Sequence, residues 1–282
     1  MTEARRTIAE LRVLYSLYPH FRDVIVEARE DARLISWFLR VRGIENIRVY
    51  AIDDRADVPA EIVAPVHADI NKRGRIVGLA SQITDDDESR CLTCIIDADF
   101  DIFEPLGAKY PHLLRTDFAA MEIYALHNES FDKFLALNTT SSESSSELLA
   151  SLSPVWQALF AVRYVLKSAN VSLVSRFWKS LSESNGTRTA DLDYLLRQSA
   201  PAERQLWDDL RARVENLLET TTFPALQGIR GHDVAPVLRH FLKFHNTNIT
   251  DSEVEDLLRT SIEVSALALN PMFLALEARA ST

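Results

Sequence analysis

The chain has 282 residues, of which 47% are hydrophobic and 26% charged, and its formal net charge at pH 7 is −10. These proportions are ordinary for a soluble globular protein, and the length suits one large domain or two modest ones. The negative charge argues against unaided, nonspecific capture of nucleic acid, which depends on neutralising phosphates with a basic face. The seven glycines form neither of the loops that cradle nucleotide phosphates, GxxxxGKS/T and GxGxxG.

Helical and strand patterns alternate along the first half of the chain. Apolar residues at helical spacing predict a helix within residues 2–18. The patterns that follow predict strands at 24–27, 47–52, 92–96 and 112–115 and helices at 31–41, 71–82 and around 122–126. This alternation is typical of a parallel sheet flanked by helices, so we expect an α/β fold.

A polar, serine-rich segment at residues 138–147 follows this first half. Its low complexity predicts a flexible linker. After it the strand pattern disappears, and apolar residues recur at helical spacing within 148–166, 191–196, 202–218, 234–244 and 252–267. We therefore predict an α/β domain at 1–137, a linker at 138–147 and an all-helical domain at 148–282.

The stretch from Cys94 to Asp101 is the most informative part of the chain, because an apolar strand there ends in alternating carboxylates. Open α/β sheets place their chemistry at the carboxyl ends of strands. On an extended chain Asp97 and Asp99 point the same way, and Asp101 joins them if the extension continues. Converging carboxylates suit a hard divalent cation such as Mg²⁺. The alternative is a strand that runs into a polar, aspartate-rich turn.

A second acidic strand end lies upstream. The β-branched run at residues 24–26 leads to Glu27, and Asp31 falls in the first turn of the helix that follows. The alternative is an ordinary helix entry, where carboxylates favour the positive end of the helix dipole. Two acidic strand ends in one small domain favour a shared site.

These two elements together resemble the Toprim domain, the metal-dependent fold of topoisomerases, bacterial-type primases and OLD-family nucleases. That family pairs hhhEGxxD with a later hhhDxD; Glu27 and Asp31 match the first motif, and Asp97 and Asp99 match the second. Ala28 stands where the family usually has glycine. More closely, the chain resembles the Toprim-type effectors encoded beside ABC-like ATPases in phage defence, the group that includes the PARIS effector. Further segments carry this resemblance: 71–75, 116–117, 122–124 and 231–233.

The resemblance implies a Mg²⁺-dependent nuclease with one or two ions, or with Mn²⁺ in their place. The implied catalytic residues are Glu27, Asp31, Asp97, Asp99 and His232. The expected metal ligands are Glu27, Asp97, Asp99, Asp101, Asp117 and Glu122. His232 would reach towards a scissile phosphate. The structural alternative for this segment makes Asp233 the amino-terminal cap of the helix that begins near residue 234.

The same resemblance implies a biological setting. The substrate is nucleic acid, RNA rather than DNA, with tRNA as the favoured target and OLD-type DNA cleavage as the alternative. An ABC-like ATPase partner would hold the chain inactive, and release would activate it as a homodimer in an abortive-infection system. We expect a cytoplasmic protein without a membrane span, because the sequence shows neither a signal-peptide core nor a sufficiently long apolar run.

Two other function classes are compatible with the sequence. The run from Ile95 to Asp99 also fits the first motif of haloacid-dehalogenase-type phosphatases, in which the first aspartate is the nucleophile. That fold normally begins with this strand, whereas here most of the predicted sheet precedes it. The other class is a non-catalytic adaptor, whose acids only form part of the surface.

The two cysteines, Cys91 and Cys94, form a CxxC pair. A structural zinc site needs four ligands, and the sequence offers neither a second such pair nor a nearby histidine pair. We therefore expect Cys94 to be a small buried residue of its strand.

Overall fold

The computed structural model describes residues 5–107, 110–200 and 206–281. Over these residues the protein is a mixed α/β structure, with parallel strands flanked by helices and a helical C-terminal region. The chain divides into two compact units. Unit 1 comprises Met1–Ala98, Pro105–Asp117 and Val264–Thr282, and unit 2 comprises Asp99–Glu104 and Phe118–Glu263.

The helices and strands have the following bounds. The strands are β1 (Arg6–Thr7), β2 (Asp23–Val26), β3 (Arg48–Ala51), β4 (Ala56–Asp57), β5 (Leu92–Ile96), β6 (Leu113–Arg115), β7 (Leu181–Ser184) and β8 (Thr187–Ala190). The α-helices are α1 (Ile8–Leu17), α2 (Arg29–Val41), α3 (Ile52–Arg55), α4 (Ala60–Val63), α5 (Lys72–Gln82), α6 (Asp86–Arg90), α7 (Asn128–Asn138), α8 (Ser145–Ser168), α9 (Leu192–Ser199), α10 (Trp207–Thr220), α11 (Gly231–Phe241), α12 (Asp251–Ser261), α13 (Val264–Leu267) and α14 (Pro271–Ala280). The 3₁₀ helices are Met121–Leu126 and Phe177–Ser180.

Unit 1 is built around a four-stranded sheet in which the strand order is β3-β2-β5-β6 and every neighbouring pair is parallel. Every residue of the two central strands, β2 and β5, is buried, Cys94 among them. Central strands of parallel sheets form continuous apolar runs because both of their faces are covered. The predicted α/β class, the parallel sheet and the fourth strand near residues 112–115 are therefore confirmed.

A buried charge pair anchors the start of β2. The Asp23 carboxylate accepts hydrogen bonds from Arg55 Nε (2.9 Å) and Nη2 (2.6 Å) and from the Tyr15 hydroxyl (3.0 Å). Asp23 and Arg55 are each 1% exposed. Burial raises the pKa of Asp23, while the Arg55 cation acts in the opposite direction. This ion pair is therefore part of the core of unit 1.

The last helix, α14, belongs to unit 1 although it follows unit 2 in the sequence. Arg279 donates hydrogen bonds to the Thr93 hydroxyl (3.1 Å) and to the Leu92 carbonyl (2.9 Å) of β5. The Phe273 ring meets the Phe38 ring of α2 edge-on, with centroids 4.7 Å apart. These contacts make α14 part of the layer that supports the sheet.

Unit 2 contains α8, a helix of 24 residues. A capping box starts it: the Ser144 hydroxyl accepts from the Glu147 N–H (3.3 Å), and the Ser144 N–H donates to the Glu147 carboxylate (2.8 Å). By length and composition α8 could cross a membrane, which differs from the sequence expectation. Half of its apolar stretch is buried inside the protein, and Trp156 is fully buried. This burial is typical of a core helix of a soluble protein.

Two predictions for the second half differ from the structure. Residues 138–147 lie within unit 2, where a bridge pairs Thr139 with Phe244, so they do not divide the chain into its two units. The strand pattern does not disappear either, because β7 and β8 form an antiparallel hairpin. Its turn contains Asn185 and Gly186, with φ angles of +52° and +76°, the backbone geometry that favours Asn-Gly in two-residue turns.

Candidate active site

The carboxyl ends of the parallel strands meet at one edge of the sheet in unit 1. Register pairs the last residue of β2 with that of β3, and the last residue of β5 with that of β6. The polar side chains that follow these ends are Glu27 after β2, Asp53 and Asp54 after β3, Asp97 after β5 and Thr116 after β6. This edge is the position at which open α/β sheets bind ligands.

Glu27 and Asp97 lie side by side at this edge. Glu27 Oε1 accepts a hydrogen bond from the backbone N–H of Asp97 at 3.0 Å. The next backbone N–H, that of Ala98, donates to the Thr116 hydroxyl at 2.9 Å. The residues that follow β2 and β6 therefore hold the end of β5 from both sides. This contact joins the two acidic strand ends that the sequence identified.

Asp31 has a structural contact in the turn between β2 and α2. Its Oδ2 accepts a hydrogen bond from the Ala28 N–H at 3.1 Å, and its side chain is buried at 8% exposure. Ala28 has a φ of −124°, an extended conformation that any residue adopts. The alanine that replaces the family's glycine is therefore compatible with this turn.

Basic side chains pair with the acids that follow β3. Arg29 binds the Asp54 carboxylate through two hydrogen bonds (2.9 and 2.6 Å), and Arg75 and Lys72 lie 2.5 and 3.6 Å from the Asp53 carboxylate. The hydrogen bond from Arg75 lowers the pKa of Asp53, and that from Arg29 lowers the pKa of Asp54. Arg29, Arg75 and Lys72 are thus paired with carboxylates within unit 1.

Asp99 does not continue the extended chain. β5 ends at Ile96, and Asp99 has a φ of +46°, which is the left-handed region that aspartate tolerates better than most residues. Its backbone N–H donates to the Ala119 carbonyl at 2.9 Å within unit 2. Asp99 and Asp101 belong to unit 2, whereas Asp97 belongs to unit 1. The prediction that the three aspartates alternate along one extended chain is therefore wrong, because a turn interrupts it.

Two further predicted ligands, Asp117 and Glu122, have structural contacts. Both carboxylate oxygens of Asp117 accept from the backbone N–H of Met272 at 3.2 Å, near the start of α14, where a carboxylate suits the positive helix end. Glu122 binds Arg259 at 2.9 Å in unit 2. A Cβ at Gly231 would lie 2.4 Å from a Glu122 carboxylate oxygen, so a glycine there makes room for this acid.

The first turn of α11 contains one exposed residue, His232, and one buried residue, Asp233. The His232 side chain is 71% exposed, and its Nδ1 lies 3.9 Å from a Glu255 carboxylate oxygen. Asp233 is 1% exposed and accepts two hydrogen bonds from Arg163, at 2.7 and 2.5 Å. The structural alternative, in which Asp233 caps the helix, is therefore wrong, because α11 has Arg230 in the cap position, and Asp233 lies in the first turn.

Mg²⁺ suits part of this donor set. Among the described residues, no three His, Cys, Asp or Glu side chains are grouped as a metal site. The predicted ligand set is therefore not assembled here from protein groups alone. The Glu27 carboxylate nevertheless contacts the backbone of Asp97, so both residues lie at this edge, and Mg²⁺ commonly binds through one or two carboxylates, waters and substrate phosphates. The edge fits an ion whose coordination is completed by substrate.

Sequence reasoning assigned no specific contact to two side chains that hold the end of β5. Arg73 is 6% exposed, and its Nη1 donates to the Ala98 carbonyl at 3.3 Å. The Thr116 hydroxyl accepts from the N–H of the same residue. Both residues lie in segments that carry the family resemblance, 116–117 and 71–75, but that resemblance assigned neither side chain a contact. The Arg73 contact spans 25 residues of sequence, so no local pattern indicates it.

No protein-family model matches the chain, and no curated protein matches it significantly in sequence. The geometry of the sheet edge and the motif resemblance are therefore what support a function.

Proposed function

We propose that the chain is a Mg²⁺-dependent phosphodiesterase of the Toprim type, a nuclease. The main support is the hydrogen bond from the Asp97 N–H to the Glu27 carboxylate, because it brings two motif acids together at the carboxyl edge of a parallel sheet. Open α/β sheets place their chemistry at this edge. The Toprim resemblance pairs these same two acids.

Within this proposal each residue at the edge has a defined task. Glu27 and Asp97 provide carboxylate oxygens, and Glu27 also exchanges a proton with the attacking or leaving oxygen of the phosphodiester. A bound Mg²⁺ would polarise the phosphoryl oxygen and stabilise the leaving oxygen. Arg73 and Thr116 hold the backbone of Ala98 and thereby fix the position of Asp97.

RNA is the proposed substrate, and the resemblance to defence effectors favours tRNA. The net charge of −10 opposes unaided binding along an extended nucleic-acid backbone. Arg29, Lys72 and Arg75 are also paired with carboxylates. A structured RNA that is contacted at a few points requires less basic surface than a long duplex. DNA is the second candidate substrate.

Restraint by a partner ABC-like ATPase is part of the proposal. Uncontrolled RNA cleavage in the cytoplasm would kill the host, and the sequence lacks the common phosphate-cradling loops through which ATP could restrain the enzyme. A stable complex buries about 800 Å² on each partner, which exceeds the area of one metal site. We expect the chain to copurify with its ATPase and, after release as a homodimer, to be toxic only with Asp97 intact.

The experiment that tests the nuclease compares full-length wild type with Asp97→Asn on tRNA, single-stranded RNA and DNA. Asp87→Asn is the matched control, because the Asp87 side chain is 82% exposed and lies 3.6 Å from Arg90 of its own helix. We expect cleavage with Mg²⁺ but not with EDTA, lost in Asp97→Asn and retained in Asp87→Asn.

Two results would count against this assignment. Equal cleavage by wild type and Asp97→Asn would remove the sheet edge from the reaction. No cleavage of any of these nucleic acids with Mg²⁺ or Mn²⁺, after separation from the ATPase, would contradict a nuclease. Hydrolysis of a small phosphomonoester that depends on Asp97 would favour the phosphatase instead.

A further inference from the structure

Unit 2 contains a cavity of about 380 Å³. Its polar and aromatic lining consists of Phe100, Arg163, Lys167, Asn170, Ser172 and Arg230. Among the described residues that line it, three are cations and none is a carboxylate. Such a lining suits an anion small enough to enter a pocket of this size.

Two of the cations are held in place by unit 2 itself. Arg163 binds the buried Asp233 carboxylate, and its guanidinium also lies over the Phe177 ring, 5.6 Å from the centroid. The Lys167 ammonium lies over the Phe100 ring, also 5.6 Å from the centroid. Aromatic faces attract cations without neutralising their charge. The Lys167 charge is therefore positioned without being neutralised, whereas Arg163 is positioned by its ion pair with Asp233.

Arg230 adds a third, half-buried cation. Burial and the neighbouring Arg163 cation both lower the pKa of Arg230, while the carboxylates of Asp233 and Asp99 act in the opposite direction. Two guanidinium groups that oppose each other's charge gain from an anion placed between them. Arg163 and Arg230 both line the cavity, so an anion bound there would lie near both cations.

The carboxyl end of α8 contributes to the same cavity. The N–H groups of residues 169, 170 and 171 donate to the carbonyls of residues 165, 167 and 166. Helix-end carbonyls that already accept hydrogen bonds repel an incoming anion less than bare ones. Asn170 and Ser172, both exposed, provide an amide and a hydroxyl that donate hydrogen bonds to oxygen ligands.

We propose that this cavity of unit 2 binds a phosphate group through Arg163, Lys167 and Arg230, and that the phosphate belongs to an RNA strand. The phosphate itself follows from the lining, because the Arg230 guanidinium and the Lys167 ammonium suit phosphate oxygens. Arg163, whose Nε and Nη2 bind Asp233, adds its remaining Nη1 donor. Its source in nucleic acid rests on the proposed nuclease function. The exposed Lys167 and Ser172 leave the cavity accessible to a strand that continues outside it.

The test measures binding in EDTA, so that neither cleavage nor a metal ion contributes. Fluorescence anisotropy follows a short, labelled RNA with a 5′-phosphate, and sodium phosphate and adenosine 5′-monophosphate serve as competitors. We expect Lys167→Gln to weaken binding about tenfold and to flatten the salt dependence by about 0.7 in log–log slope. Lys179→Gln is the matched control, because Lys179 is also an exposed lysine of unit 2 but does not line the cavity.

The outcomes separate this inference from the nuclease proposal. Binding that depends on Lys167 in a chain without nuclease activity would support the cavity and contradict only the nuclease. Competition by adenosine 5′-monophosphate at low concentration, with weak RNA binding, would assign the cavity to a free nucleotide and overturn the nucleic-acid source. Equal binding by Lys167→Gln and Lys179→Gln, or no binding of any of the three probes, would overturn the phosphate site.

Discussion

The acidic sheet edge of unit 1 and the cationic cavity of unit 2 use charge in opposite ways. At the edge, Glu27 and Asp97 follow two parallel strands whose register brings their ends together. In the cavity, Arg163 and Lys167 lie on α8, and Arg230 comes from the segment before α11. The edge suits chemistry on a phosphodiester, and the cavity suits retention of a phosphate.

This contrast separates two kinds of functional site. Backbone pairing creates the edge, because parallel strands end together whichever side chains follow them. Packing of side chains creates the cavity, because its cations come from separate parts of the chain. Substitutions at the edge should therefore change catalysis with little effect on binding, and substitutions in the cavity should do the reverse.

The largest expected effect is loss of nuclease activity on substitution at the edge. Asp97→Asn and Glu27→Gln should each reduce the cleavage rate by about 1,000-fold or more, or ~4 kcal/mol, because each removes a charged oxygen ligand. The double variant should lose little more than either single variant, since groups that act as a unit are not additive. Single-turnover cleavage of labelled RNA in Mg²⁺ measures all three.

Asp54→Asn is the control at the same edge. Asp54 pairs with the exposed Arg29, and exposed ion pairs contribute about 0–1 kcal/mol. Its cleavage rate should stay within about threefold of wild type. If Asp54→Asn were as inactive as Asp97→Asn, general acidity rather than the Glu27–Asp97 pair would explain activity. RNA binding in EDTA should be unchanged in every one of these variants.

The next effect concerns stability and compares one buried ion pair in each unit. Asp23→Asn leaves Arg55, which is 1% exposed, without its counter-charge, and we expect a loss of about 3 kcal/mol in the free energy of unfolding. Asp233→Asn should cost less, about 1–2 kcal/mol, because the Arg163 side chain is 18% exposed and water can solvate it. Urea unfolding followed by circular dichroism measures both. An equal or reversed cost would contradict the view that Arg55 is structural and that Arg163 faces a cavity.

Sequence patterns predicted the parts of the fold that depend on local order. Apolar spacing alone predicts the buried runs of β2 and β5 and the helix from Lys72 to Gln82. The acids that follow the strands are visible directly in the sequence. The Asn185-Gly186 pair is a local hairpin signal, because both residues favour the positive φ angles of a two-residue turn. The all-helical prediction did not use this signal, which indicates β7 and β8.

Other features depend on contacts between distant parts of the chain. The return of α14 to β5 joins Arg279 to Leu92 across 187 residues, and no local pattern indicates it. The turn at Asp99 breaks an alternation that looks continuous in sequence. The cavity escaped prediction for the same reason, because Arg230 and Lys167 become neighbours of one pocket only through packing.

A smaller effect is the pH dependence that His112 of unit 1 contributes to stability. Burial lowers the pKa of His112 to about 4 from its ordinary 6.5, and its Nε2 contacts the Ala80 carbonyl at 3.1 Å. The unfolded chain therefore takes up this proton first, so stability is lost as pH falls below about 6.5 and the loss is complete below about 4. Between about pH 7.5 and about pH 5, wild type should lose about 2 kcal/mol more than His112→Gln.

Urea unfolding at the two pH values measures this difference. His20→Gln is the matched control, because it makes the same substitution at an exposed histidine of unit 1. His112→Gln lowers stability at both pH values if the glutamine packs poorly, but the comparison uses only the difference between them. An identical pH dependence in wild type and His112→Gln would contradict the prediction, because it would mean that folding does not lower the pKa of His112.

The smallest expected effect tests how the edge is positioned. Thr116→Val removes the hydroxyl that accepts the Ala98 N–H, and because Thr116 is 4% exposed, water cannot replace it freely. We expect a loss of about 1 kcal/mol in stability and about tenfold in cleavage rate, with an unchanged KM. Thr116→Ser keeps the hydroxyl and should restore the cleavage rate even if its lost methyl group lowers stability. A Thr116→Ser variant as slow as Thr116→Val would mean that packing of the methyl group, and not the hydrogen bond to Ala98, sets the position of Asp97.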